Sequence, residues 1–365
     1  MACENFSPER LAMAHILAAG DHFVRPHLFT EAINRLEIRP EPTFSELTLP
    51  WPHTPFGPVA NVDEASGTED EIIDALEGAE VVVTQMAPFT ERVFAAASGL
   101  RFVGVCRGGP VNVDLRAATE AGVVVSFAPG RNAQAAAEFA IGLMLTAMRR
   151  ISTTDAELKR AVWRGDYYTL ENVGSELAGS TVGLIGYGAI GSIVARVLVA
   201  FGANVVAYDP YANPEAIAAD GVSLVDLDTL MASSNVVSLH ARLTPETHHM
   251  VNADNLALLP RGAVLINSAR GGLLDYAPLP QLLESGALGA LAVDVYDVEP
   301  PTADWPLLSA PNVVLTPHLA GATRQTAERA ASIVATDVAL YLRGQTPRYV
   351  ANPEVLNKVR LSPES

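Results

Sequence analysis

The chain has 365 residues, of which 49% are hydrophobic and 18% charged, and its formal net charge is −17. A chain of this length divides into two or three domains at roughly 100–200 residues each, and its composition excludes a disordered or fibrous protein. The acidic balance disfavours binding to a phosphate backbone, and no apolar run reaches the roughly 18–20 residues that span a bilayer.

Cysteine and histidine usage gives no sign of a disulfide framework or a metal site. The two cysteines, Cys3 and Cys106, are too few for either a disulfide framework or a four-thiolate zinc site. The eight histidines are scattered along the chain. The N-terminus lacks the basic and apolar segments of a secretory signal. We therefore expect a cytoplasmic protein that binds no metal, no nucleic acid and no membrane.

The first 128 residues alternate between short apolar runs and helical patterns. Strands are predicted over 13–18, 80–84, 101–105 and 123–126. Helices are predicted over 25–36, 68–77, 90–98 and 114–121. Residues 40–58 carry six prolines and are predicted to form a loop or an irregular crossing. Strands that alternate with helices are typical of βαβ units, so we expect a parallel sheet.

Two further segments precede a second alternation. Residues 132–150 form a long helical pattern that is apolar on several faces, and such a helix is usually buried between domains or subunits. Residues 163–177 are aromatic and irregular, which indicates an arm.

The second alternation begins at Thr181. Its strands are predicted over 181–186, 204–208, 235–240, 263–267, 290–294 and 312–316. A closing helix is predicted over 321–343. The whole pattern predicts an α/β protein with two doubly wound parallel-sheet domains.

A glycine-rich turn lies between the first strand of this second region and the helix that follows. Its residues are Gly186, Tyr187, Gly188, Ala189, Ile190 and Gly191. This spacing allows a tight turn, a close approach of the backbone to a pyrophosphate and close helix packing. Asp209 ends the next strand, eighteen residues after Gly191. A carboxylate there binds ribose hydroxyls and repels a 2′-phosphate, so the sequence predicts an NAD site in preference to an NADP site.

Three later strands end in residues with the chemistry of hydride transfer to a 2-oxo acid. They are followed by Arg270, Glu299 and His318. The carboxyl ends of parallel strands meet at one edge of a sheet, where ligands bind. An arginine binds a carboxylate through two donors, a histidine transfers a proton, and a nearby carboxylate raises the pKa of that histidine.

The motifs around these residues resemble those of the D-isomer-specific 2-hydroxyacid dehydrogenases. The resemblance covers residues 70–350 and is to the branch that contains phosphoglycerate dehydrogenases. It is carried by GYGAIG (186–191), YDPY (208–211), SLHARLTPET (238–247), INSARGGLLD (266–275), DVYDVEP (294–300) and LTPHLAGAT (315–323). The spacings of 29 residues from Arg270 to Glu299 and 19 more to His318 also fit the family pattern.

The resemblance implies a role for each of these residues. Arg270 would bind and polarise the substrate, His318 would be the acid or base, and Glu299 would be its partner. Asp294 would hold the nicotinamide carboxamide. Further cofactor contacts are implied at the family's backbone positions, which are Ala189, Ile190, Ala241, Ser268, Ala269 and Ala320.

The resemblance also implies an architecture. A flavodoxin-like substrate domain would combine residues 1–128 with residues 320–365, and a Rossmann cofactor domain would span residues 129–319. The active site would lie in the cleft between these domains. The partners would be a small 2-hydroxy or 2-oxo acid and a second copy of the chain, because the family is typically homodimeric through the cofactor domain.

The candidate substrate loops depart from the family pattern. The backbone of Arg107, Gly108 and Gly109 lies where the family binds the substrate carboxylate, and Gln85 and Met86 are further candidates. An arginine at position 107 suggests a more anionic substrate, although the same residue could instead pair with a structural acid. Residues 84–88 lack the arginine that binds phosphate in phosphoglycerate dehydrogenases, and no regulatory domain is expected after the closing helix. Both features count against 3-phosphoglycerate.

Two other interpretations remain open. A dinucleotide-sensing regulator of the corepressor type has the same fold and keeps the catalytic residues. Formate dehydrogenases pair their histidine with a glutamine, which Glu299 argues against. Arg242 occupies a position beside the adenosine where the family usually has proline. It could tolerate a 2′-phosphate, although Asp209 is the stronger signal.

Overall fold

The computed structural model describes residues 13–53, 55–359 and 361–362. The chain forms two compact units, one built from residues 1–131 and 323–365 and the other from residues 132–322. The boundaries expected from the sequence, after residues 128 and 319, lie a few residues before the ones observed.

The first unit contains a parallel five-stranded sheet with the strand order β2-β1-β3-β4-β5. Its strands are β1 (His15–Gly20), β2 (Thr43–Thr48), β3 (Val81–Thr84), β4 (Phe102–Val105) and β5 (Val124–Phe127). Its first helices are α1 (Pro26–Asn34), α2 (Glu69–Ala75), α3 (Glu91–Ala96) and α4 (Leu115–Ala121). All residues of β3 and β4 are buried, as is typical of parallel strands covered by helices on both faces.

The expectation of a loop or irregular crossing throughout residues 40–58 was wrong for β2. Thr43–Thr48 pairs in parallel with β1, with Phe44 opposite Ile16. The prolines of this region flank these six residues but do not occur among them, and β2 is an edge strand, which needs partners on one side only. The first strand also begins at His15, later than the predicted residue 13, and ends at Gly20.

The second unit contains a parallel seven-stranded sheet with the order β12-β11-β10-β9-β6-β7-β8. Its strands are β6 (Thr181–Ile185), β7 (Asn204–Tyr208), β8 (Ser223–Leu224), β9 (Val236–Leu239), β10 (Ala263–Asn267), β11 (Leu288–Val293) and β12 (Val313–Leu315). Its helices are α5 (Ala133–Arg149), α6 (Ile151–Lys159), α7 (Ala189–Ala200), α8 (Pro214–Ala219), α9 (Leu227–Ser233), α10 (Ala253–Leu256) and α11 (Leu279–Glu284). The short strand β8 and the helix α6 were not predicted from the sequence.

Helix α5 lies in the core of the second unit. Its buried residues, among them Ala137, Ala140 and Met144, share one hydrophobic cluster with side chains of β6, β10 and β11. The apolar side of this helix packs on the sheet of its own unit, and the expectation that it is buried between domains or subunits stays a prediction. Gln134 and Glu138 lie on its exposed side.

The closing helix α12 (Arg324–Leu342) returns the chain to the first unit. It begins later than predicted because Thr323 caps it, accepting a hydrogen bond from the backbone N–H of Thr326. With α1 it covers one face of the first sheet, whereas residues of α2, α3 and α4 cover the other. None of the described helices is long and apolar enough to cross a membrane.

Candidate active site

The glycine-rich turn joins β6 to α7. Gly186 has a φ of +99°, and a side chain on it would bring its Cβ to 2.6 Å from the backbone nitrogen of Ala241. Only glycine fits this position. Gly188 precedes α7 and faces open space, and no side chain caps the helix. The N–H groups of Ala189, Ile190 and Gly191 are therefore available at a positive helix end, which suits a phosphate.

Asp209 lies at the carboxyl end of β7, directly beside this turn. One of its oxygens accepts a hydrogen bond from the backbone N–H of Tyr187 at 2.8 Å, and the other accepts from that of Tyr211 at 2.9 Å. These bonds fix the orientation of the carboxylate. Asp209 also lines a cavity of about 540 Å³ together with Tyr208, Pro210, Leu224, Val225, Asp226 and Thr229. A carboxylate on the wall of a cavity beside a bare helix N-terminus fits the adenosine and phosphates of a dinucleotide.

The remaining predicted cofactor positions follow neighbouring strands of the same sheet. Ala241 follows β9 and is half-buried, and Ser268 and Ala269 follow β10 and are also half-buried. The N–H of Ala269 donates to the side-chain oxygen of Asn267 at 3.1 Å. The structure thus brings the predicted cofactor positions of β6, β7, β9 and β10 to one edge of the sheet.

Arg270 is exposed at the end of this β10 segment. Its Nη1 donates to the carbonyl of Ala269 at 2.6 Å, and its own carbonyl accepts a hydrogen bond from Asn267 Nδ2 at 2.9 Å. Its guanidinium forms no ion pair among the described side chains. The remaining donors of the guanidinium suit a carboxylate ligand.

His318 and Glu299 form a pair at the ends of β12 and β11. The Nδ1 of His318 lies 2.8 Å from Oε2 of Glu299. This hydrogen bond raises the pKa of His318, with a smaller contribution from the charge of Asp294, whereas burial and Arg270 act in the opposite direction. Burial raises the pKa of Glu299, but the hydrogen bond and charge of His318 outweigh it and leave that pKa below its ordinary value. Both shifts favour an imidazolium–carboxylate pair.

The second ring nitrogen of His318 is available for chemistry. No described residue makes a hydrogen bond to Nε2, and about half of the side chain is exposed. Because Glu299 holds Nδ1, proton exchange with a ligand falls to Nε2.

Asp294 braces the segment that carries His318. One of its oxygens accepts from Leu319 N–H at 2.8 Å and from Thr316 Oγ1 at 2.7 Å, and the other accepts from Ala320 N–H at 2.8 Å. His318 itself has a φ of +55°, which is uncommon for a residue other than glycine. The fully buried carboxylate of Asp294 holds this conformation. Sequence reasoning identified neither this task nor Thr316.

The predicted substrate residues lie in the first unit, at the carboxyl ends of β3 and β4. Gln85 and Met86 are buried there, whereas Gly108 and Gly109 are exposed. The guanidinium of Arg107 pairs with the carboxylate of Glu64, and its Nη1 also lies 2.9 Å from Met86 Sδ. Of the two interpretations of Arg107, the structure shows the one in which it pairs with an acid of the protein.

Sequence reasoning missed two tyrosines in the segments that follow β10 and β11. The hydroxyl of Tyr276 donates to the carbonyl of Val295, and that of Tyr296 donates to the carbonyl of Thr316. Tyr276 follows directly on the motif INSARGGLLD (266–275), and Tyr296 lies inside the motif DVYDVEP (294–300), so proximity to these motifs was the available signal.

Within residues 13–53, 55–359 and 361–362, no group of three or more His, Cys, Asp or Glu side chains is arranged to hold a metal ion.

The second unit therefore has the fold and the site of a dinucleotide-binding α/β protein. Residues 141–320 match the family model for the D-isomer specific 2-hydroxyacid dehydrogenase, NAD binding domain. Together with the relatives described next, this match shows that the chain belongs to the D-isomer-specific 2-hydroxyacid dehydrogenase family, which confirms the resemblance found in the sequence.

The relatives include proteins with different named activities. The chain is 38% identical to a D-3-phosphoglycerate dehydrogenase of Methanocaldococcus jannaschii, over 80% of this chain and 56% of the relative. It is 35% identical to a glyoxylate reductase of Korarchaeum cryptofilum, over 82% of this chain and 90% of the relative. The chain thus spans about half the length of the phosphoglycerate dehydrogenases that it matches.

The solved structures that match have the same two-domain fold. The apo-structure of D-lactate dehydrogenase from Escherichia coli matches with a TM-score of 0.71 and 27% identity. That match covers 92% of this chain and 99% of the solved one.

Proposed function

We propose that the chain is an NAD-dependent dehydrogenase that interconverts a (R)-2-hydroxy acid and a 2-oxo acid. The observation that carries this proposal is the pair of His318 and Glu299, with 2.8 Å between Nδ1 and Oε2. The pair stands at the same sheet edge as Arg270 and the glycine-rich turn. An acid or base, a carboxylate-binding cation and a dinucleotide turn are the groups that this reaction requires.

Each of the three side chains has a task in this reaction. Arg270 binds the substrate carboxylate and polarises the adjacent carbonyl. His318 Nε2 gives a proton to the developing alkoxide during reduction and takes it back during oxidation. Glu299 keeps the imidazole oriented and stabilises its protonated form. NAD, when bound, supplies the centre that accepts or donates the hydride.

NAD is the proposed cofactor, in preference to NADP. The N–H groups of Ala189 and Ile190 would hold the pyrophosphate, and Asp209 would accept hydrogen bonds from the ribose hydroxyls. The carboxylate of Asp209 is fixed by two backbone N–H groups and would repel a 2′-phosphate. Arg242 is exposed, and we propose no role for it.

The proposed substrate has one carboxylate and no second anionic group. Arg107 is the cation that suggested an extended anionic substrate, and Glu64 already neutralises it. The paired Arg107 therefore gives little attraction to a phosphate or a second carboxylate. The similarity to a glyoxylate reductase agrees with a compact 2-oxo acid.

We also propose a homodimer formed through the second unit. The segment from α6 to the arm exposes several large apolar side chains, with Trp163 83%, Tyr168 93% and Leu170 86% exposed. Apolar side chains exposed together in one segment mark an interaction surface. Light scattering coupled to size exclusion should give twice the chain mass, and Trp163→Ser combined with Leu170→Ser should reduce it to the monomer mass. A wild-type monomer would contradict the proposal.

The enzymatic proposal is tested by following NADH oxidation with a panel of 2-oxo acids. The panel contains glyoxylate, pyruvate, hydroxypyruvate, branched and aromatic oxo acids, and phosphorylated oxo acids. The reverse reaction is measured with NAD and the corresponding hydroxy acids. We expect turnover of a mono-carboxylate, restricted to the R enantiomer in the oxidative direction. Tight NADH binding without turnover of any panel member would reject the dehydrogenase and favour a dinucleotide-sensing protein.

A further inference from the structure

A cluster of three aromatic side chains lies where the segments that carry Arg270, Glu299 and His318 meet. Tyr276, Tyr296 and Trp305 pack edge to face, with ring centroids of Tyr276 and Trp305 5.7 Å apart and those of Tyr296 and Trp305 5.4 Å apart. Tyr276 is buried and Tyr296 is half-buried. The hydroxyls of both tyrosines make hydrogen bonds, so the two residues do more than fill the core.

Tyr276 connects the segment of Arg270 to the segment of Glu299. Its hydroxyl donates to the carbonyl of Val295 at 2.8 Å, between Asp294 and Tyr296. The same hydroxyl accepts from Asn267 Nδ2 at 3.2 Å, and this amide also donates to the carbonyl of Arg270 at 2.9 Å. A short chain of hydrogen bonds therefore runs from the backbone of Arg270 to the segment after β11.

Tyr296 connects the segment of Glu299 to the segment of His318. Its hydroxyl donates to the carbonyl of Thr316 at 2.9 Å, two residues before His318. Its backbone N–H donates to Oε1 of Glu299 at 3.1 Å, and the other oxygen of that carboxylate holds His318. One residue thus anchors both members of the catalytic pair.

The segments of Arg270 and Glu299 also touch directly. A Cβ on Gly271 would lie 2.0 Å from the carbonyl oxygen of Tyr296, so a side chain at position 271 would push the two segments apart. Burial raises the pKa of Tyr296 to about 12 and also raises the pKa of Tyr276, so both phenols remain hydrogen-bond donors. The two tyrosine hydroxyls that connect the three segments therefore do not titrate under ordinary conditions.

We propose that Tyr276 and Tyr296 are positioning residues, whose hydroxyls set the arrangement of Arg270, Glu299 and His318 without touching the substrate. This inference rests on the proposed dehydrogenase function. Trp305 packs against both rings, so the two tyrosines are coupled through it.

The first experiment removes each hydroxyl while keeping each ring. Tyr276→Phe and Tyr296→Phe should each lower kcat by about tenfold, since small displacements of catalytic groups have effects of this size or larger. NADH affinity and Tm should change little. Because the residues are coupled, the double variant should lose much less than the product of the two single losses. Tyr349→Phe, in the first unit, is the matched control, because its hydroxyl has no hydrogen-bond partner among the described residues.

The second experiment does not require turnover. The protonation of His318 is followed by NMR of labelled imidazole, with His318→Gln used to assign the signal. In the wild type the pKa should be above the ordinary value for histidine, and Tyr296→Phe should move it towards that value, because the pairing with Glu299 loosens.

The outcomes separate the two proposals. A wild-type chain that turns over no 2-oxo acid rejects the function, whereas the NMR comparison still tests the positioning. Wild-type kcat and an unchanged His318 titration in both Phe variants would reject the positioning role and leave the function standing. A loss of Tm matched by a loss of NADH binding would show that the hydroxyls serve only folding, which also rejects it.

Discussion

The carboxyl ends of the two sheets offer an instructive comparison. In the second unit, Arg270 keeps guanidinium donors beyond the one that bonds the carbonyl of Ala269, and His318 Nε2 has no hydrogen-bond partner among the described residues. In the first unit, Arg107 is paired with Glu64, and Gln85 and Met86 are buried. Both edges are formed by the carboxyl ends of parallel strands, which is where ligands bind in open α/β sheets. The difference shows that strand order brings residues to an edge, while their local partners decide whether they are available to a ligand.

The largest expected effect comes from replacing His318, the proposed acid or base of the second unit. His318→Gln should lower kcat by about 10²–10⁴, the usual contribution of general acid–base catalysis. NADH affinity should remain near the wild-type value, because His318 is not among the dinucleotide-binding positions. His27→Gln, on the exposed side of α1, is the control. A variant that turns over normally would end the interpretation of this edge as catalytic.

The next effect concerns cofactor choice. Asp209→Ala should reduce the preference for NAD over NADP by about 10–100-fold. The substitution removes the hydrogen bonds from the ribose hydroxyls to the carboxylate, and it also removes the repulsion between that carboxylate and a 2′-phosphate. The ratio of kcat/KM for the two cofactors measures this. Asp74→Ala removes an exposed carboxylate from α2 and should leave the ratio unchanged. The same ratio in Asp209→Ala as in the wild type would refute the assignment of Asp209.

A change in pH dependence should follow the loss of the Glu299 charge. The pKa of His318 is raised, so the protonated form needed for oxo-acid reduction persists to higher pH and is lost as pH rises through that pKa. In Glu299→Gln the falling limb of kcat/KM should move to lower pH, with a rate about tenfold lower near neutrality. Glu284→Gln, at the exposed end of α11, should leave the limb in place. If the falling limb of the kcat/KM profile stays at the same pH in Glu299→Gln, Glu299 does not control the protonation of His318.

The first unit should give the smallest effect. Arg107→Ala should change the relative kcat/KM for mono-anionic and phosphorylated oxo acids by only about twofold, since an ion pair that already exists contributes little to a further ligand. Glu64→Gln is the sharper test, because it frees Arg107 and should favour the phosphorylated acid. A large decrease in kcat/KM for the phosphorylated acid in Arg107→Ala would show that the arginine leaves Glu64 when this substrate binds.

Much of the fold and of the site could be predicted because the signals are local. The alternation of strands and helices has a short period, and the turn around Gly186 and the ends of β10, β11 and β12 are contiguous motifs. Strand β2 was missed because the surrounding prolines dominate its local composition, while its pairing with β1 is a contact between distant residues. Helix α5 shows its apolar character in the sequence, but the sequence does not say which surface covers it.

The sequence by itself determined which chemical groups the chain brings to a sheet edge: a glycine turn, a ribose-type carboxylate, an arginine, and a histidine with a carboxylate. Tertiary structure alone decided how these groups are held and which are free. The distances from Asp294 to Leu319 N–H, from Tyr276 to Val295 and from Arg107 to Glu64 each join segments that lie far apart in the chain. Hydrogen bonds depend on distance and angle, so no motif specifies them until packing has fixed the backbone.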